Sequence, residues 1–133
     1  MSSHSDKLGR GALHYASLEG ATSELRSLLA SHVDPDSPDR DGFTPLHLAA
    51  QEHQVEAARL LLDAGADVNL TNKYGNGPLF VAVFNSKGRG ELISLLRSRG
   101  ADPFLVNRSG QTPVGLARLI ANYDVARYFE DLP

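Results

Sequence analysis

The sequence predicts an all-α solenoid of four stacked helix-pair units, and three observations carry the prediction. A turn glycine recurs at Gly9, Gly42, Gly75 and Gly110, at spacings of 33, 33 and 35 residues. Three residues before each glycine stands Asp6, Asp39, Asn72 or Asn107, a side chain able to brace the turn through its oxygen. The ends of successive second helices also align, as LLASHVDPD, LLDAGADVN and LRSRGADPF. No unit can bury its apolar face alone, so the 133 residues are expected to form one domain with a continuous core.

The second unit is the most complete, and it explains the others. Gly42 permits the tight turn, Thr44 is placed to cap a helix, and Pro45 fits its first position, where no N–H is needed. Leu46, Leu48, Ala49 and Ala50 give a short helix with a small-residue face. After a break near His53–Gln54, Ala58, Leu61 and Leu62 recur at helical steps, and Gly65 supplies a left-handed end. Ala66 to Leu70 is expected to run out extended toward the next turn.

The other units, at about residues 6–38, 72–106 and 107–133, depart from this pattern in specific ways. Met1–Ser5 is polar and expected to be disordered. Gly11 and Ala12 replace the Thr–Pro pair of the first unit, which weakens its first helical turn. His32 stands where Gly65 and Gly100 end their helices, and is expected in a left-handed conformation. In the third unit Gly77 replaces the threonine and Phe80 the histidine, and FNSKGRGE is two residues longer than QEHQVE. That insertion, Phe84 to Gly90, is expected to be mobile and is basic through Lys87 and Arg89. The fourth unit ends without the helix-terminating glycine, so Tyr123, Tyr128 and Phe129 are expected to close the core.

The spacing, together with the "TPLH…A" and "GAD" segments, strongly resembles ankyrin repeats over about Asp6 to Leu132. The resemblance implies β-hairpin-like connections between helix pairs, capping units at both ends, and a turn-bracing role for His14 and His47.

Bulk properties exclude several functions. Net charge is −3, with no cysteine, no signal-peptide core and no apolar run near the roughly 18 residues of a membrane span. A cytoplasmic, membrane-free protein is the plain expectation, although cargo of a leaderless secretion route has the same composition. Charge is uneven: residues 1–67 carry 5 basic against 11 acidic side chains, and residues 68–133 carry 8 against 5. The stretch VDPDSPDRDG is acidic, but Pro38 and Pro45 occupy calcium-ligand positions. His14 and His47 would sit about 10 Å apart, too far to share a metal. No nucleophile elbow, phosphate loop or buried carboxylate pair is present, so no catalytic, cofactor or metal residue is assigned. A basic group of Lys73, Tyr74, Lys87, Arg89 and Arg108 is too modest to favour nucleic acid.

What remains is a binding surface. The resemblance implies a protein-interaction module using hairpin tips and the groove along the first helices. The matching tip positions are Lys7, Leu8 and Arg10; Arg40, Asp41 and Phe43; Lys73, Tyr74 and Asn76; and Arg108, Ser109 and Gln111. The groove positions are Leu18 and Glu19, Gln51 and Glu52, Phe84 and Asn85, and Leu119 and Ile120, with Lys87 and Arg89 beside them. Phe43, Tyr74 and Phe84 are expected to form an aromatic row able to anchor a partner. Three functions fit: an adaptor or inhibitor, monomeric when free; an immunity protein neutralising a toxin, as in small bacterial ankyrin proteins that the ending ANYDVARYF resembles; or a self-associating scaffold.

Overall fold

The structure, a computed structural model, describes residues 6–133. The expectation for Met1–Ser5, and His4 with it, lies outside those residues. Seven α-helices follow in order: α1 (Ala12–Glu19), α2 (Thr22–Ala30), α3 (Pro45–Gln51), α4 (Val55–Asp63), α5 (Pro78–Phe84), α6 (Glu91–Ser98) and α7 (Pro113–Leu119). A 3-10 segment, Ala126–Phe129, closes the chain. The fold is the expected all-helical solenoid. Helices α1, α3, α5 and α7 pack side by side as one row, and α2, α4 and α6 form a second row against it.

Small residues allow this stacking. Ala49, Ala50, Ala57, Ala58 and Ala82 are buried between rows, with Leu46, Leu61, Val83, Leu92 and Leu96 filling the space between them. None of these helices exceeds nine residues, so their stability comes from packing rather than propensity.

The turns are built as the repeated Asp/Asn-to-glycine spacing predicts. Asp39 Oδ1 accepts the amides of Asp41 and Phe43, both at 2.9 Å, and Asn72 and Asn107 repeat the arrangement. The four turn glycines have φ between 75° and 82°. Gly75 is doubly constrained, since a Cβ there would stand 2.9 Å from the Arg108 amide nitrogen. Single backbone bonds link successive turns: Arg40 N to Leu8 O, Lys73 N to Asp41 O, and Arg108 N to Tyr74 O. The connections expected to be hairpin-like and extended contain no strand among the described residues. One bond per neighbour is too sparse for a ladder.

Helix starts follow the sequence closely. Thr44 caps α3: its Oγ1 accepts the His47 amide at 3.3 Å, and its own amide donates to His47 Nδ1 at 3.1 Å. Nδ1 is therefore an acceptor, and Nε2 carries the proton donated to Asn76 O at 2.8 Å. Gly11 and Gly77 offer no side-chain cap. His32 is left-handed at φ 64°, as its alignment with Gly65 and Gly100 requires, and His53 (φ 55°) adopts the same region at the α3–α4 turn.

Two expectations about the carboxy-terminal half are corrected. The Phe84–Gly90 insertion, read as mobile from its glycines, is pinned at several points. Arg89 Nε donates to Ser86 O at 2.9 Å, and the Tyr128 hydroxyl donates to Gly88 O at 2.8 Å. Gly90 leaves the room this needs, because a Cβ there would collide with the Tyr128 ring. Phe129 and Tyr128 do help close the core, but Tyr123 is 47% exposed and lies against Gly88; Val125 is buried instead. The end is locked by Arg97, whose guanidinium holds both oxygens of Asp131 at 2.8 Å and donates to Tyr128 O at 2.9 Å.

Candidate functional site

An open groove of about 380 Å³ lies between the second and third turns and the helices that follow them. Its lining is Phe80 and Val81 from α5, with Phe43, Tyr74 and Phe84 as aromatic walls. Gln51, Asn76 and Asn85 form the polar rim, and Asn72 lies behind. Phe43 stands edge-on between the His47 ring, at 5.7 Å, and the Tyr74 ring, at 6.5 Å. Phe84, the last residue of α5, is 69% exposed, and Tyr74 is 52% exposed. Phe43, Tyr74 and Phe84 thus line one groove, with Tyr74 and Phe84 facing outward and Phe43 half-buried.

Six predicted residues meet there: Phe43, Gln51, Tyr74, Asn76, Phe84 and Asn85. Lys73 flanks them, with Nζ 3.1 Å from Asp41 and 5.2 Å from the Tyr74 ring centroid. Its hydrogen bond to Asp41 raises the Lys73 pKa, so it stays a cation. Arg40 and Glu52 are exposed beside the lining residues, and Lys87, Arg108 and Gln111 are exposed further along the chain.

Two of the predicted residues are committed elsewhere. Arg10 is a structural residue: its Nε lies 3.1 Å from Asp39 Oδ2, a carboxylate almost wholly buried, and its guanidinium approaches the Tyr15 ring. Arg89 remains exposed but spends its donors on the carbonyls of Ser86 and Asn85. Sequence reasoning missed Phe80, Val81 and Asn72 as lining. The signal was present at Phe80, which takes the position of His14 and His47.

Three of the four histidines among the described residues, His14, His47 and His53, behave as structural groups. Burial holds the pKa of His47 and of His14 below the ordinary value; His14 Nε2 finds no hydrogen-bond partner, lying only near the Ser37 and Phe43 backbone. Burial, then the Arg89 charge, lowers that of His53 despite Glu91 at 3.4 Å. The acidic stretch serves the backbone: Asp34 accepts the Asp36 amide and Asp36 accepts that of Asp67, both at 2.9 Å. Among the described residues no three His, Asp or Glu side chains converge as a metal cage, and no helix is long and apolar enough to cross a membrane. The groove's own side chains are rings, aliphatics and amides, suited to burying another surface.

Paired helices packed in two rows, joined turn to turn, define a helical repeat solenoid. The chain belongs to the ankyrin-repeat family, whose profile of three repeat copies matches residues 2–72. It is 40% identical over 94 residues to Neurogenic locus notch homolog protein 1 of Mus musculus, which covers 71% of this chain and 4% of that protein. It is 41% identical over 76 residues to Protein phosphatase 1 regulatory subunit 12A of Mus musculus, covering 57% of this chain and 7% of that one. Protein PhlB of Serratia liquefaciens is 38% identical over 109 residues, 81% of this chain and 47% of PhlB. The chain thus spans less than half the length of each of these relatives. Ankyrin repeats are protein-interaction modules and generally non-catalytic.

Proposed function

We propose that the chain binds another protein through the groove between its second and third turns, as an adaptor or an inhibitor acting in the cytoplasm. The observation that carries this reading is Phe84, a phenylalanine left 69% exposed at the end of a buried helix, over an apolar groove walled by Tyr74 and Phe43. Such an anchor gains free energy only when a partner covers it. An inhibitor that covers an enzyme's active site, including an antidote to a toxin, is a special case of the same surface; the uneven charge along the array suits rapid capture. End-to-end self-association is less favoured, because Val125 and Phe129 are already buried at the closing end.

The test is capture from native cells on the immobilised chain, repeated with Phe84→Ala and Tyr74→Ala together. Loss of a specific partner, with the circular dichroism spectrum unchanged, is expected. Undiminished capture counts against the groove. Light scattering of the purified chain is expected to give a monomer.

A further inference from the structure

Successive turns meet through one side-chain pair, formed by the residue after a turn glycine and the bracing residue of the next turn. At the first step Arg10 Nε meets Asp39 Oδ2 at 3.1 Å. At the third, Asn107 Nδ2 donates to Asn76 Oδ1 at 2.8 Å. At the middle step the residue after the glycine is Phe43, which offers no acceptor to Asn72. The Asn72 amide cannot turn round to escape this, because its Oδ1 already accepts the amides of Tyr74 and Asn76 at 3.0 and 3.1 Å. Asn72 is only 6% exposed, and its Nδ2 has no partner.

The same groove carries a second interruption. His47 Nε2 reaches across to the next turn at Asn76 O, whereas Phe80, its counterpart one repeat on, has no donor to offer. Two polar links are thus replaced by aromatic rings, and both rings line one groove with the orphaned donor behind them. Its volume, about 380 Å³, admits one large apolar side chain with room for the adjoining main chain.

The charges that contacts place at its rim select a sign. Lys73 and Arg108 flank Tyr74 and Arg89 reaches the Asn85 carbonyl, against Glu52 beside Gln51 and Asp41, which Lys73 already holds. On the protein-binding reading above, we propose that the groove takes an extended acidic segment of the partner. One large apolar side chain of that segment enters between Phe43, Phe80 and Phe84. A turn of the half-buried Phe43 ring lets a carbonyl oxygen of the same segment accept from Asn72 Nδ2.

The probes are fluorescein-labelled pentapeptides: Glu-Asp-Phe-Asp-Glu, its Ala-centred analogue, and Lys-Arg-Phe-Arg-Lys. Binding is read by anisotropy at low salt and by the amide NMR spectrum of the full chain. The acidic phenylalanine peptide is expected to bind saturably and to shift the Asn72 side-chain amide downfield. Its affinity should fall at least about ten-fold with the Ala-centred or basic peptide, or with Phe84→Ala. The double variant Phe43→Arg with Asn72→Asp rebuilds the pair seen at Arg10–Asp39. It should keep or raise the melting temperature while losing the peptide. Equal binding of the basic peptide, or an unmoved Asn72 amide, overturns the proposal. Failure of every peptide to bind, while Phe84→Ala with Tyr74→Ala still abolishes capture from native cells, overturns it and leaves the protein-binding reading standing.

Discussion

His32→Gly tests the alignment and the energetics of the helix ends together. His32 follows α2 with φ 64°, whereas the equivalent Gly65 and Gly100 have φ 97° and 93°. A Cβ-bearing residue in that region costs about 1 kcal/mol, and glycine removes the cost. Glycine also loosens the unfolded chain, which offsets about 0.4 kcal/mol or more. Nothing else is forfeited: the His32 side chain is exposed, and its amide bond to Leu29 O at 3.1 Å survives the change. The net gain is about 0.5 kcal/mol, or about 2 °C in melting temperature for a domain of this size. His53→Gly is the control. It relieves a similar φ of 55° but deletes a mostly buried imidazole 3.4 Å from Glu91, so it should lose stability. Differential scanning calorimetry of both variants decides the matter. A fall in melting temperature for His32→Gly, or equal changes in the two, refutes the reasoning.

Other perturbations follow from the same contacts. Arg10→Ala strands the Asp39 carboxylate and should cost about 2–3 kcal/mol in urea unfolding, with partner capture intact for the folded fraction. Gly90→Ala pushes a Cβ into the Tyr128 ring and should cost about 1–3 kcal/mol, with faster hydrogen exchange at the closing segment. His14 and His47 have folded pKa values below the unfolded value of about 6.5, so the unfolded chain protonates first. Their contribution is complete above about pH 6.5 and is lost as pH falls toward the folded values, so the melting temperature should decline from about pH 7 to about pH 5. Imidazole NMR titrations that place both groups at or above the unfolded value would exclude that mechanism.

The fold was legible because the repeated chemistry is backbone chemistry. Gly42 with Asp39, or Thr44 with Pro45, specifies a turn or a helix start from a few adjacent residues, and the structure has those features. Side chains that act across the stack were harder to read. Arg10 looks like an exposed tip cation until Asp39, 29 residues on, is seen to claim it. Gly88 and Gly90 suggest mobility, yet Gly90 leaves room for the Tyr128 ring and Gly88 lies against Tyr123, each about one repeat further along. Tyr123 stays exposed and Val125 is buried, and a short 3-10 segment rather than a full helix follows them. The aromatic row was visible as three residues. Gln51, Asn76 and Asn85 of its groove were visible too, but Asn72 was not, since it belongs there only through the pairing that Phe43 fails to make.

Three departures from the repeated pattern fall at the second and third turns and the helix after them. Phe43 breaks a turn-to-turn pair, Phe80 removes a histidine link, and Gly77 leaves α5 without the hydroxyl cap that Thr44 and Thr112 give α3 and α7. The third has a local cause, because a Cβ on Gly77 would stand 3.2 Å from Leu105. The other two have none within the fold. Each exchanges a polar link for a ring, each ring lines the same groove, and Phe84, where α3 has Gln51, adds a third. Their convergence on one interval, beside an exposed phenylalanine that the isolated chain leaves in water, is what the proposed partner-binding surface requires.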